Sequence, residues 1–426
     1  MRTVTAADID DVPSICDDIA TVASEWDDLV TRTGASLFVR PGWLVAWLDA
    51  FDRRRIRIYT VRRDGRLVAL VPLLRGRFGR SLASPTNDHT PVWSPLAEDP
   101  AAAQALARAV LADRPSRLRL GILERDRVAS RHFVDTLERA GYRPVVHHRE
   151  WSPYVDTSVT PDVFAKRFTA KHRSSMRRRE RRLGDLGEVT FEACRGGARL
   201  PGVLEEGLAI EASGWKGRRG TAIACDPATL RFYRRIASWA GSHGWLLLTT
   251  LRIDGRMVAF SFGFDHDGIV SGLKIGYDEA HAKLSPGLQL MHRTFDLAIA
   301  GPAREMDLLG DNDPYKRAVA DGTHERITAD WFAPTATSGA ARVVTTLWLQ
   351  GRQSAQRLLH DRLPEARLEQ LRTAKARTRV AVGRRRRHSV PWTTAGPGSA
   401  GQNSAGRRCH APTSGIIAGT RPKAPP

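Results

Sequence analysis

Cysteine is scarce: four residues in 426, and no two of them at Cys-x-x-Cys spacing. Cys16, Cys194, Cys225 and Cys409 are scattered along the chain. That pattern excludes a disulfide framework or a zinc site as the organising feature, and no metal is expected. The residues read as buried or idle thiols. Long apolar runs are also missing, and nothing approaches the roughly 18 residues that cross a bilayer. The opening "MRTVTAADIDDVPSIC" lacks the basic start and apolar centre of a secretory signal. The expected location is the cytoplasm, with attachment at the membrane periphery as a further option.

Acid is absent from one place. After Glu369 there is no Asp or Glu, while Lys and Arg contribute twelve positive charges. A second basic stretch, "KRFTAKHRSSMRRRERR" at 166–182, holds nine Lys/Arg against Glu180. Together these two segments account for the whole formal charge of +20, so the rest of the chain is neutral in sum. A basic total of this kind describes two local features and not a nucleic-acid-binding body. From about residue 380 the sequence is rich in Gly, Pro, Ser and Arg, which predicts a disordered tail. Ahead of it, 336–379 reads as an amphipathic basic helical segment that packs on its own protein or lies on a membrane surface. In the 166–187 region Phe164, Phe168, Met176 and Leu183 fall on one helical stripe, with Arg-dense faces around it. A solvated face and an anion site are the two readings of those arginines.

What is present in quantity is apolar residue, 42% of the chain, enough to bury a core for two domains. Trp43, Trp47 and Phe51 recur four apart in "FVRPGWLVAWLDAFD", the mark of a buried helix face. "VRRDGRLVAL" at 61–70 and "LRIDGRMVAF" at 251–260 are the same Asp-Gly hairpin, carried twice. The second copy opens a three-stranded antiparallel meander, "WLLLTTLRIDGRMVAFSFGFDHDGIVSGLKIGYD". A helix follows from Ser285-Pro286-Gly287 to Gly301-Pro302. Ser285 suits its N-cap, and the N–H groups of Gly287, Leu288 and Gln289 are expected to emerge unpaired, as a site for a phosphate-sized anion. No corresponding helix start is evident in the first half. Next come a short strand and a polar loop holding Asp311, Asp313, Tyr315 and Lys316.

In "KHRSSMRRRERRL", "GWKGRRG", "LRIDGRMVAF", "GYDEAHAKLSPGLQL" and "DLLGDNDPYK" the second half resembles a bacterial GNAT-fold family. That family is typified by the cellulose-biosynthesis acetyltransferase-like proteins (CelD type) and is related to the FemABX peptidyltransferases. "SLFVRPGWLVAWLDAF" and "VRRDGRLVALVPLL" resemble its N-terminal portion, so the similarity runs over roughly residues 20–332 in the family's order. The resemblance implies an α/β fold of tandem GNAT-like domains with mixed, largely antiparallel sheets. Their expected extents are 1–155 and 156–335, followed by the 336–379 segment and the 380–426 tail.

The resemblance further implies an acyl-CoA site in the second half, with acetyl-CoA or another acyl-CoA as co-substrate. Ser285-Pro286-Gly287 would take the place of the Gly-rich pyrophosphate loop, with Lys283, Leu288 and Gln289 beside it. The family's closing Gly-Asp-Glu-Pro-Tyr-Lys is one residue longer here, "GDNDPYK". Backbone N–H groups of "GIVSGLKIGYD" are expected to meet the pantetheine and the developing oxyanion. Asp311, Asp313 and Glu211 are the candidate bases, and Tyr315 or Tyr277 the candidate acid. Trp215, Lys274, Tyr277 and Lys316 are candidate acceptor contacts. The activity expected is acyl transfer to an amine or hydroxyl of a sugar, polysaccharide or metabolite. Two alternatives stand beside it: a Fem-like transferase fed by aminoacyl-tRNA, with the basic helix on the nucleic acid, and a non-catalytic polyanion-binding protein.

Overall fold

A computed structural model describes residues 11–52, 54–76, 80–362 and 367. The tail expected from 380 onward lies outside the described residues, as does most of 363–379. The strands are β1 (Val12–Cys16), β2 (Ile56–Arg63), β3 (Arg66–Arg75), β4 (Ser81–Ala83), β5 (Leu96–Ala97), β6 (Arg117–Glu124) and β7 (Arg143–Asp156) in the first part of the chain. They continue as β8 (Val189–Cys194), β9 (Leu246–Ile253), β10 (Arg256–His266), β11 (Ile269–Tyr277), β12 (Glu305–Asp307) and β13 (Gly322–Phe332). All join one mixed sheet in the order β1-β2-β3-β4-β6-β13-β7-β12-β11-β10-β9-β8, with β5 on β3.

That order reads the same from both ends. From β1 inward the pairings are three antiparallel and then one parallel, β4 with β6. From β8 inward they are again three antiparallel and one parallel, β11 with β12. Helices fall at matching places, Pro100–Ala112 between β4 and β6 and Pro286–Ala300 between β11 and β12. The chain is therefore a tandem of two halves of like topology on a mixed, largely antiparallel sheet, the arrangement that the resemblance implies. The last strand of each half crosses over. β7 pairs with β12 and β13, and β13 pairs with β6 and β7, so each closing strand lies beside the parallel pair of the other half.

The repeated hairpin is the same to the level of single bonds. Asp64-Gly65 and Asp254-Gly255 all have positive φ, as a two-residue type I′ turn requires. Val68 in one copy and Val258 in the other are the residues left out of register by a bulge. Arg62 donates to both oxygens of Glu25 and to the Gly65 carbonyl. Arg252 does the same to Glu206 and the Gly255 carbonyl.

The core between sheet and helices is built by both halves. Trp43 and Trp47 are buried as their spacing predicts, while Phe51 is half-buried. Trp43 meets Phe232 edge-on at 5.1 Å and Phe264 at 5.9 Å, so an aromatic cluster joins first-half and second-half elements. The basic region is not one helix with one stripe. Thr169 caps a new helix, Ala170–Gly184, after the short Pro161–Lys166 helix. Phe164 and Phe168 enter a cluster with Phe295, whereas Leu183 enters another with Leu251 and Leu290. No described helix is long and apolar enough to cross a membrane.

Candidate active site

β11 and β12 are paired in parallel only over Ile269–Ser271 and Glu305–Asp307. Past that point the two strands separate, because β11 runs on to Tyr277 while the other chain turns away through Leu309 and Gly310, both at positive φ. β11 also carries a bulge. Gly263 pairs with Gly272 and Phe262 with Lys274, so Leu273 has no partner in the ladder. An open gap and a freed strand edge face each other there, and a cavity of about 980 Å³ fills the space between.

One wall of the cavity holds Gly272–Ile275, Tyr277, Trp215 and the helix start at Ser285, Gly287 and Leu288. The opposite wall comes from the first half and the crossed strands: Asp88, His89, Arg119, His148, Glu150 and Thr328. Lys216, Lys274, Tyr315 and Lys316 also line it.

The helix start departs from its expected form. Ser285 is left-handed, at φ 52°, and its side chain makes no cap hydrogen bond. Its carbonyl instead accepts the N–H groups of both Leu288 and Gln289. Of the three N–H groups expected to emerge free, that leaves Gly287. The Gln289 side chain is buried and donates to the Leu284 carbonyl, and Lys283 is exposed beside the turn, outside the cavity lining. A Cβ at Gly287 would stand 3.2 Å from the Tyr277 ring, so the glycine lets the helix end seat close to β11.

Contrary to expectation, the first half does have a counterpart of this helix start. The Pro100–Ala112 helix begins in the same topological place, but Asp99 closes it by accepting the Ala102 N–H and pairing with Arg63. A carboxylate already occupies the position an anion would take. Only the second-half helix end is open.

None of the expected bases is among the lining residues, although Asp311 stands within 4.8 Å of His148 and Glu150, which are. Glu211 is buried under β11 and accepts the Ile223 N–H, with Lys216 at 3.4 Å. Asp311 is 71% exposed at its side chain and faces His148 at 3.7 Å. Asp313 leads into the short Pro314–Arg317 helix, with Lys316 at 3.7 Å. Lys316 is buried and donates to the Leu309 and Asp311 carbonyls, so it fixes the lip of the gap. Burial holds its ammonium below the ordinary lysine range.

The backbone N–H of Trp215 donates to Glu279, and Arg219 stacks over the Trp215 ring at 4.5 Å. Lys216 donates to the Ile275 carbonyl. Tyr315 is half exposed, and burial of its hydroxyl raises its pKa. Lys274 follows the bulge. Burial, and then the neighbouring Lys216, hold it below the ordinary lysine range.

Two titratable groups in the wall have no place in the sequence reading. His89 stacks on Phe51, and burial followed by Lys274 pushes its pKa down to about 4. Its Nδ1 is buried without a hydrogen bond. Glu150 has its Oε1 buried without a hydrogen bond, and burial raises its carboxyl above the ordinary range although Arg326 stands 3.7 Å away. The duplication itself was the signal for His89. Since Ser81–Ala83 and Ile269–Ser271 are equivalent strands, the run "SPTNDHTPVW" had to leave a parallel pair at the same point as Gly272–Tyr277.

Residues 170–317 match the acetyltransferase (GNAT) domain family. The match covers about a third of the chain and lies within its second half. Its open helix end and bulged strand lie within that match, and so does the separation of β11 from β12. No curated protein matches the chain. Among solved structures, FemX is similar at a TM-score of 0.52 and 12% identity, over 75% of this chain and 98% of its own. L-PGS from Bacillus licheniformis gives 0.48 and 14%, over 76% and 96%. A tandem GNAT protein from the clavulanic acid biosynthesis pathway gives 0.41 and 12%, over 77% and 100%. At such identity FemX shows the fold alone: the matched segment and the half before it share a FemX-like arrangement.

Proposed function

We propose that the protein is an acyltransferase that takes an acetyl or other acyl group from acyl-CoA to an amine or hydroxyl of a saccharide or metabolite acceptor. The observation that carries this reading is the difference between the two helix ends. One is closed by Asp99. The other is open onto a gap between splayed strands, with the Gly287 N–H and the positive end of a 15-residue helix directed at it. A pyrophosphate binds at that end, and the pantetheine runs along β11 toward the Leu273 bulge. Backbone donors at the bulge stabilise the oxyanion as the acceptor attacks the thioester carbon. The acceptor enters from the wall of His89, Arg119 and Glu150, and Glu150 removes its proton. The thiolate leaves with the CoA and is protonated by Tyr315 or by water. A polysaccharide-linked acceptor, as in the CelD-type proteins, belongs to this reading.

A thermal-shift measurement with acetyl-CoA and with CoA tests it. Ligand at about a hundred times its Kd adds about 2.7 kcal/mol to the folded state, enough to raise Tm by several degrees. Gly287→Glu places a carboxylate at the anion's position and abolishes the shift. If neither acyl-CoA nor CoA stabilises the wild type, the reading is wrong.

A second reading has two observations in its favour. The Ala170–Gly184 helix is densely basic and largely exposed, and the fold is that of FemX. A transferase drawing on aminoacyl-tRNA would bind tRNA with a steep salt dependence and ignore acyl-CoA.

A further inference from the structure

The last described helix, Ala336–Arg362, leaves the sheet with one face covered and one bare. Leu349 is buried against Val145 and Phe332, and the Ser338 hydroxyl donates to the Ser116 carbonyl, which pins the helix down. On its other side Val343, Val344, Leu347, Trp348 and Leu358 are 52%, 66%, 61%, 57% and 56% exposed. At 100° per residue these five positions fall within one sector of about 140°. Gly351, Ser354 and Ala355 share it, and no charged residue interrupts the sector between Ala340 and Leu358. Arg352 lies at its edge, its guanidinium 5.5 Å from the Trp348 ring. Nothing among the described residues covers this face. A contiguous apolar stripe of this size is a contact surface and not scattered exposure.

We propose that this face lies on an anionic lipid surface. Charge decides the occupant. The chain beyond Glu369 adds twelve Lys/Arg and no acid, so two copies brought together on this helix would crowd like charge, whereas a negative bilayer would attract it. Aliphatic side chains on one face, a tryptophan at its margin and arginine beside it are the composition of a helix lying in the headgroup plane. The stripe inserts, and the basic sequence that follows holds it by Coulomb attraction. Neither contact alone suffices for stable attachment.

The full-length protein is sedimented with vesicles of phosphatidylcholine alone and with about 30% phosphatidylglycerol. Binding is expected to the anionic vesicles only, and to weaken by more than tenfold as salt rises from about 0.1 M to about 0.5 M. Leu347→Asp with Trp348→Asp, both exposed, is expected to cut binding at least tenfold. Its thermal unfolding, and any shift with acetyl-CoA, should match the wild type, so a folding defect is separated from a lost surface. Four outcomes overturn the proposal. One is no binding to anionic vesicles, and another is equal binding by the double variant, which assigns it to the basic tail alone. The third is a dimer by light scattering that the double variant dissociates, which assigns the face to a second copy. Binding to tRNA in preference to vesicles likewise overturns it.

Discussion

Glu150 stands in the cavity wall with a buried oxygen that accepts no hydrogen bond, and desolvation holds its carboxyl above the ordinary range despite Arg326 at 3.7 Å. A carboxylate of that kind is a better proton acceptor than the exposed Asp311 or Asp313. Glu150→Gln keeps the shape and removes the base. We expect kcat to fall about 10²–10⁴-fold with the KM for acyl-CoA little changed. The acid limb of the wild-type pH profile should lie above the ordinary glutamate range. Stability gives an independent sign. A carboxyl whose folded pKa exceeds its unfolded one stabilises the fold below about pH 4.3, and that contribution is lost as pH rises through the folded value. Glu150→Gln should therefore unfold at a higher temperature than the wild type at pH 7, and the advantage should vanish near pH 4. A variant with full activity would exclude Glu150 as the base, whatever its Tm.

The elements of the two halves meet where one glycine makes room. Gly42, at the start of the Pro41–Phe51 helix, lies against Trp239 of the Pro227–Ser242 helix, and a Cβ there would come within 2.1 Å of the indole nitrogen. Gly42→Ala should cost about 1–3 kcal/mol by overpacking, read as a Tm lowered by a few degrees. Gly339→Ala, in a helix with open space around it, should leave Tm unchanged or slightly raised. Equal effects at both positions would mean that the helix contact is looser than described. What was legible beforehand follows the range of the interactions. The Asp-Gly hairpins and the Ser-Pro-Gly start are fixed by φ preferences and capping, which neighbouring residues decide, so the sequence shows them directly. Ser285 shows the limit of that reading. Its residue type fits a side-chain cap, but its left-handed backbone and doubly accepting carbonyl depend on how the preceding turn seats against β11. Glu150 is not legible, because only the order of strands in the sheet brings it to the gap, and His89 is legible only by carrying the repeat through from the hairpin to the strand that follows it. The Asp99-Pro100 cap is itself a local signal, but strand order alone shows that its helix stands in the place of Pro286–Ala300.

Across the whole molecule the exchange of closing strands binds the halves into one sheet. β7, from the first half, is the direct neighbour of β12 at the edge of the gap, and Ser152 donates to Asp307 there. Arg326 of β13 also pairs with Asp307, while β13 is zipped to β6 along Arg326–Phe332. Neither half keeps its central pairings when the other unfolds. The most protected amides of β2–β3, with β4, β6, β13 and β7 between them and β12, should therefore exchange only through global unfolding. A ligand that binds the second half must then slow them by the same factor as those of β9–β10, since both report one equilibrium. Hydrogen exchange with and without saturating acetyl-CoA measures this directly. Matched slowing, about a hundredfold at a ligand concentration a hundred times Kd, is the expected result. Slowing confined to β9–β12 would show that the first half opens by itself and that the crossed strands do not couple the two.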